Sequence, residues 1–183
     1  MSGGPRHDTR DPRRARSRAL KILFEADVRG ESAEAALKRV VADPWARAML
    51  DDLDDLSDAE EVARQAEADA EADTTDRPSV AAPQLEGFTR QLVLGVSDHR
   101  DEIDALIGRF ARKWTVSRMP VVDRNVLRLA TYEMLYEGTT PAVVINEALE
   151  LAKALSTEAS GRYVNGVLES VRKAIAERDR PGA

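Results

Sequence analysis

The 183-residue chain contains no cysteine and only two histidines, His7 and His99. Without cysteine it can form neither disulfides nor thiolate metal sites. Two histidines far apart in the sequence argue against a zinc site or a catalytic triad. The sequence also has no phosphate-binding glycine loop and no nucleophile spaced with a base. We therefore expect a binding protein with no catalytic residues, no metal and no cofactor.

Long apolar runs and aromatic residues are also scarce. Aromatic residues make up 4% of the chain, and no apolar stretch reaches the roughly 18 residues that a membrane span requires. The N-terminus has no apolar run of signal-peptide length. Many alanines and leucines with few aromatics favour a core built from helix faces. These absences predict a soluble, cytoplasmic protein.

The net charge of −6 hides a strong segregation of charge along the chain. Residues 51–76 hold twelve Asp or Glu and a single basic residue, Arg64, so this segment alone carries −11 and the remainder carries +5. Residues 5–21 hold seven basic residues and two acidic ones. The average charge therefore does not exclude an anionic ligand for the N-terminal segment.

Apolar residues recur at the period of an α-helix in about seven segments, and no alternating strand pattern competes with them. We predict an all-α helical bundle, with a disordered tail at residues 1–11 and a single domain over residues 12–183. Residues 57–82 are mostly Ala, Asp and Glu, with too little apolar surface to offset the entropy of ordering. We expect a largely disordered acidic insert there; a solvated Ala-Glu helix is the alternative.

The first predicted helix, which begins at Pro12 and ends at Gly30, has a basic face. Guanidinium groups contact phosphates bidentately and stack on bases, and an aromatic ring beside them offers a stacking surface. This pattern favours binding of unpaired nucleic acid, and an ordinary solvated face is the alternative. The residues of this sector are Arg10, Arg14, Ser17, Lys21 and Phe24, with Arg18 at its border.

Polar residues of the last two predicted helices have structural interpretations. Glu147 and Glu150 lie at i and i+3, but no His, Lys or Ser completes an acid–base site, so we expect surface or inter-helix hydrogen bonds. Asn146 is interpreted as a buried amide that fixes helix register. Gly166 costs about 1 kcal/mol relative to alanine in mid-helix, so we expect another helix to approach there. Asn165 either bonds across that contact or faces a ligand.

The segment 123–128 alternates charged residues with Val and Leu. We expect its charged residues, among them Asp123, Arg124 and Arg128, on an exposed face that is either solvated or bound by a protein partner. Trp114 follows the apolar register of the preceding helix and is expected to anchor the core.

Three blocks occur in the order and spacing of one known family. The first block is Arg13–Phe24. The second contains Trp114, Val122–Ala130 and Tyr132-Glu133, and the third contains Asn146-Glu147-Ala148 and Tyr163–Leu168. Over residues 10–30 and 84–175 the chain resembles the NusB family of transcription antitermination factors. The resemblance implies two packed helical subbundles.

The resemblance also implies a function. It predicts binding of the single-stranded boxA element of ribosomal RNA leader transcripts, together with NusE, a small-subunit ribosomal protein, within the RNA polymerase antitermination complex. By the resemblance, the RNA-binding role falls on Arg13, Arg14, Arg16, Arg18, Lys21, Phe24 and Tyr163. We assign the same role to Arg10 of the basic face and to Arg162 and Asn165 beside Tyr163. The partner-binding role falls on Asp123, Arg124 and Arg128.

Other interpretations remain open. Some family members form homodimers, so a homodimer is among the partner states that the resemblance allows. A similar domain precedes ribosomal RNA cytosine methyltransferases, but this chain has neither a methyl-donor loop nor the cysteine that attacks the base. A helical protein-interaction module without direct RNA binding is the main alternative. The acidic insert, as a phosphate mimic, is a hypothetical competitor of RNA for the basic helix.

Overall fold

The computed structural model describes residues 12–43, 46, 50, 87–111 and 114–178. Within these residues it contains seven α-helices and one 3₁₀ turn, which confirms the prediction of an all-α bundle. Their bounds are α1 Pro12–Arg29, α2 Ala33–Ala42, α3 Gly87–Asp98, α4 Arg100–Phe110, the turn Val116–Arg118, α5 Val121–Tyr136, α6 Pro141–Leu155 and α7 Glu158–Arg178. The predicted tail at 1–11 and insert at 57–82 lie outside the described residues, so both stay predictions.

Glycine, serine and proline set several helix ends. Gly30 directly follows the end of α1, and Gly138 lies two residues beyond the end of α5. They adopt φ angles of 65° and 62°, which favour glycine. Ser32 caps α2, because its hydroxyl oxygen accepts a hydrogen bond from Ala35 N at 3.1 Å. Pro141 occupies the first turn of α6, where its missing N–H costs nothing.

Helix α5 lies at the centre of the bundle. Helices α1, α2 and α3 pack against one another, and so do α5, α6 and α7. Helix α4 packs on α5 and α7, while α5 also contacts α1 and α3. The two predicted subbundles are therefore joined along α5. From Asn125 to Met134 every residue of α5 is buried, so its charged side chains need partners inside the protein.

This enclosure overturns the expectation for the segment 123–128. Asp123, Asn125 and Arg128 are 3%, 1% and 4% exposed, not presented on an outer face. The prediction assumed that only one apolar face of this helix is buried. It is wrong because α5 is surrounded by other helices rather than lying on the surface.

Three further expectations about packing are wrong. Trp114 is 50% exposed, because α4 ends at Phe110 and the chain leaves the helical register before reaching it. Asn146 is exposed on α6. Among the described residues, no atom outside the helix backbone comes within 4 Å of a Cβ placed on Gly166. Gly166 therefore has no packing role in the described structure.

The close approach occurs instead at Gly95 of α3. A Cβ placed there would overlap the ring of Tyr132, which packs directly on the glycine. Burial, with a hydrogen bond to Glu137, raises the pKa of Tyr132 to about 12. The uncharged tyrosine thus fills the space that glycine leaves between α3 and α5.

Among the residues that the structure describes, no helix combines the length and the apolar content needed to cross a membrane.

The two mid-helix glycines are expected to respond oppositely to alanine. Gly95→Ala should destabilise the protein by about 1–3 kcal/mol, because the added methyl displaces the Tyr132 ring. Gly166→Ala should stabilise it by about 0.4–1 kcal/mol, because the methyl meets open space and alanine restricts the unfolded chain. Urea unfolding of both variants measures this. Equal effects of the same sign would contradict the packing described here.

Candidate RNA and protein interface

Several of the predicted RNA-binding residues lie on the accessible side of α1. Arg13 is exposed, and Arg14 and Arg18 are half-buried. Phe24, two turns further along, is 37% exposed. Arg10 lies outside the described residues. The first two turns of α1 therefore present guanidinium groups, and a partly exposed aromatic ring follows them on the same helix.

Arg16 has a different place from the one predicted for it. Its Nε lies 2.8 Å and 2.9 Å from the two carboxylate oxygens of Glu133, and its Nη2 lies 2.6 Å from Oε2. Both side chains are buried, with 7% and 2% exposed. The Arg16 guanidinium also lies 5.9 Å from the centre of the Phe88 ring. Arg16 is thus held between α1, α3 and α5 and does not point to solvent.

Lys21 is also inside the protein. It is 9% exposed, and its Nζ donates a hydrogen bond to the backbone oxygen of Leu50 at 2.6 Å. Ser17, one turn earlier, is 7% exposed. The predicted basic face is therefore covered in part, because Leu50 lies against it. In the described structure the first two turns of this helix present accessible cations, and Arg29 at the end of the helix is also exposed.

Arg124 and Arg128, predicted to bind a partner, converge on Asp27 at the other end of α1. Asp27 Oδ2 accepts hydrogen bonds from Arg124 Nη2 at 2.8 Å, Arg128 Nη1 at 3.0 Å and Asn125 Nδ2 at 3.1 Å. Arg128 also makes two 2.7 Å bonds to the carboxylate of Asp104 on α4. These arginines therefore tie α1, α4 and α5 together through internal ion pairs.

The charge network changes the acidity of Asp27. Burial alone would raise its pKa, but the hydrogen bond from Arg124, and the positive charges of Arg128 and Arg124, outweigh that effect. The pKa of Asp27 is therefore held below its ordinary value of 3.8. The carboxylate is charged whenever the protein is near neutral pH.

Asp123 and Tyr163 come close together where α5 begins and α7 passes. Asp123 accepts a hydrogen bond from Ser156 Oγ at 2.8 Å, and that hydroxyl lies 2.9 Å from Ser160 Oγ. Burial, and then the negative charge of Asp123, raise the pKa of Tyr163. The Tyr163 hydroxyl is buried and has no hydrogen-bond partner among the described residues. Arg162 and Asn165, the remaining predicted RNA residues, are exposed on α7.

An apolar groove lies beside Phe24 of α1 and next to Asp123 and Ser156. Its volume is about 330 Å³, and it is formed by α1, the start of α5, the end of α6 and Leu50. Its lining residues are Leu20, Lys21, Phe24, Glu25, Leu50, Val122 and Leu155. Val122 is the neighbour of Asp123, and Leu155 precedes Ser156, so the groove lies between the predicted RNA-binding side of α1 and the predicted partner residues.

The sequence interpretation missed the acidic partners Asp27 and Glu133. The sequence did contain a signal for the burial of Arg16 and Asp27, because both fall on the same face of α1 as two leucines, at positions i, i+4, i+7 and i+11. That face consists of Arg16, Leu20, Leu23 and Asp27. A charged residue at each end of an apolar face indicates internal ion pairs. Within the described residues no cluster of three potential metal ligands occurs.

Comparison with known proteins places the chain in a family. A model of the NusB family matches residues 45–173. The transcription antitermination protein NusB of Solibacter usitatus is 40% identical over 171 residues, which is 93% of this chain and 94% of that protein. The chain belongs to the NusB family.

Solved structures agree with this assignment. NusB of T. maritima has 32% sequence identity and a TM-score of 0.62, with 88% of this chain and 90% of that chain covered. A structure of NusB and NusE in complex with double-stranded RNA covers 88% of this chain and 96% of that one, with a TM-score of 0.60. Its identity is 24%, so that likeness concerns the NusB fold alone.

The Asp27 network predicts a pH-dependent loss of stability. Asp27→Asn should lower the free energy of unfolding by about 3 kcal/mol at neutral pH, because Arg124 loses this carboxylate and Arg128 keeps only that of Asp104. Since the folded pKa is lowered, this stabilisation is complete above the ordinary value of 3.8 and is lost as pH falls through the folded pKa. The difference between wild type and variant should therefore shrink below that value.

Urea unfolding of both proteins between pH 2.5 and 7 measures this difference. Glu177→Gln, at an exposed carboxylate of α7, serves as the control and should have little effect at any pH. A difference between wild type and Asp27→Asn that persists unchanged at the lowest pH would exclude the charge of Asp27 as its cause.

Proposed function

We propose that this NusB-family protein is an RNA-binding transcription antitermination factor. With NusE it binds the boxA element of ribosomal RNA leader transcripts and helps RNA polymerase resist premature termination. The single observation that carries the proposal from the structure is the cationic start of α1, followed by the accessible Phe24 ring. The name of the Solibacter usitatus relative, at 40% identity over nearly the whole chain, supports the same activity.

The chemistry of this surface suits a single-stranded ligand. Arg13, Arg14 and Arg18 lie within six residues, so their side chains can reach successive phosphates of one strand. Phe24 offers a ring on which an unpaired base can stack. Arg162 and Asn165 of α7 supply further donors in the proposal. Arg16 and Lys21 are not assigned to RNA contacts, because both are buried.

The apolar groove is the proposed seat of NusE. Phe24, Val122 and Leu155 offer an apolar surface beside the RNA side of α1, and apolar pockets of this kind receive the anchoring side chains of protein partners. Asp123 bonds to Ser156, and Arg124 to Asp27, so these residues hold the groove walls in place. The groove is also the observation that favours the second candidate, a protein-interaction module without RNA binding.

The proposal includes no catalytic activity, since the described surface offers cations and an aromatic ring rather than a nucleophile with its base. A transcript as ligand and a ribosomal protein as partner imply a cytoplasmic location.

Charge reversal of two accessible cations of α1, the exposed Arg13 and the half-buried Arg14, is expected to weaken RNA binding. Arg13→Glu/Arg14→Glu should raise the Kd for a labelled boxA-type RNA at least about tenfold, because charge-assisted hydrogen bonds to phosphate are lost. The slope of log K against log salt should fall by about 1.4, or about 0.7 for each phosphate contact to a single strand. Fluorescence anisotropy across a salt series, with and without NusE, measures both.

A double variant with the same change of charge provides the control. Arg109→Glu/Lys173→Glu reverses two exposed cations on α4 and the later part of α7, and RNA affinity and salt slope should stay close to wild type. Equal losses of RNA affinity in the two double variants would show that net charge alone, rather than the position of the cations, explains the effect. Absence of wild-type binding, even with NusE, would leave the protein-interaction module as the function.

The groove predicts a separate effect on the partner. Val122→Glu places a charge in the apolar groove and should weaken NusE binding at least about tenfold, while RNA affinity without NusE changes little. Val143→Glu, at a 49% exposed position of α6 outside the groove, is the matched control and should bind NusE normally. Calorimetric titration with NusE measures this, and normal binding by Val122→Glu would place NusE elsewhere.

A further inference from the structure

We propose that Arg16 is a positioning residue for RNA binding rather than an RNA contact. Acting through Glu133, it fixes the rotation and axial position of α1 on α5, so that Arg13, Arg14 and Arg18 face the RNA together. The inference rests on the proposed function and reassigns a residue that the sequence placed among the RNA contacts.

The geometry of the pair supports a directional role. Arg16 uses both Nε and Nη2 toward one carboxylate, with three distances between 2.6 and 2.9 Å. A two-point hydrogen bond fixes the plane and the direction of the guanidinium, which a single contact does not. The pair joins residues 117 positions apart, so it orients one helix on another rather than stabilising a local turn.

The position of Arg16 along α1 matters as much as its bonds. Arg13, Arg14 and Arg18 lie within three residues of it, which is less than one helical turn. Any rotation of α1 about its axis at Arg16 therefore turns these three side chains by the same angle. The Arg16 contact lies under the same two turns that carry the accessible cations.

A second restraint of opposite polarity lies at the far end of α1. Asp27, eleven residues after Arg16, contributes the negative charge there, and Arg124 and Arg128 of α5 contribute the positive charges. With a cation of α1 at one end and an anion at the other, only the antiparallel register satisfies both ends. A slide of one turn would break both sets of bonds and leave buried charges unpaired.

Stability alone does not require a buried ion pair. Desolvation of the two charges offsets much of their attraction, and a well-packed apolar pair is often as stable. What an apolar pair lacks is direction, because methionine side chains pack in several orientations. Replacing the pair by two methionines therefore separates the positioning role from the folding role.

The test compares wild type, Arg16→Met/Glu133→Met and Arg16→Lys. The double variant removes one charge of each sign, and it should fold with a thermal midpoint close to wild type. Its affinity for boxA-type RNA should fall about tenfold, a coupling typical of residues that touch neither ligand. Its salt slope should stay at the wild-type value, because no phosphate contact is lost.

Arg16→Lys keeps the charge and loses the two-point bond, which makes it the second variant if the double variant does not fold. A positioning role predicts weaker RNA binding by Arg16→Lys at an unchanged salt slope. Wild-type affinity in either folded variant would overturn the inference. So would a salt slope lowered by about 0.7 in the double variant, since that is the loss of one phosphate contact.

Amide hydrogen exchange without RNA distinguishes failure of this inference from failure of the proposed function. In the folded variant α1 should exchange faster than in wild type, while α6 and α7 keep their protection. If wild type binds no RNA, the proposed function fails and the positioning of RNA-binding cations fails with it, whereas faster exchange of α1 still shows that the pair fixes this helix. Unchanged amide exchange of α1 in the folded variant overturns the inference, regardless of the RNA affinity that is measured.

Discussion

The antiparallel pairing of α1 with α5 is the constraint on which the rest of the structure depends. It is held by the Arg16–Glu133 ion pair at one end and by Asp27 with Arg124 and Arg128 at the other. Apolar packing between them supplies most of the favourable free energy, but apolar faces tolerate sliding. The charges of opposite polarity select one register of α1 on α5. Because α5 contacts helices of both subbundles, this register also determines how the two subbundles are placed.

This arrangement explains why charged residues of similar sequence context have different roles. Arg13 and Arg16 are three positions apart in an arginine-rich segment, yet one is exposed and the other is enclosed by α3 and α5. The exposed cations belong to the proposed RNA surface, and the enclosed ones build the frame that orients it. The apolar groove beside Phe24 adds a place for a protein partner next to that surface.

Local sequence signals predicted much of the fold and less of the site. The helical period and the helix-ending Gly30 and Gly138 depend on nearby residues, so the seven helices could be predicted. The burial of Arg128 and Asp123 depends on helices that are distant in sequence, and one helical wheel cannot reveal them. The predictions for Trp114 and Gly166 were wrong for the same reason. An apolar residue or a mid-helix glycine indicates that a contact would be favourable, but it does not show that a neighbouring helix is present.

The most direct measurement of the central claim is amide hydrogen exchange of the full chain with NusE and a boxA-type RNA, compared with the protein alone. RNA should protect the first turns of α1 and the early part of α7, and NusE should protect the segments around Val122 and Leu155. Protection confined to α4 and the end of α7, or none at all, would contradict the assignment of this face to RNA and its partner.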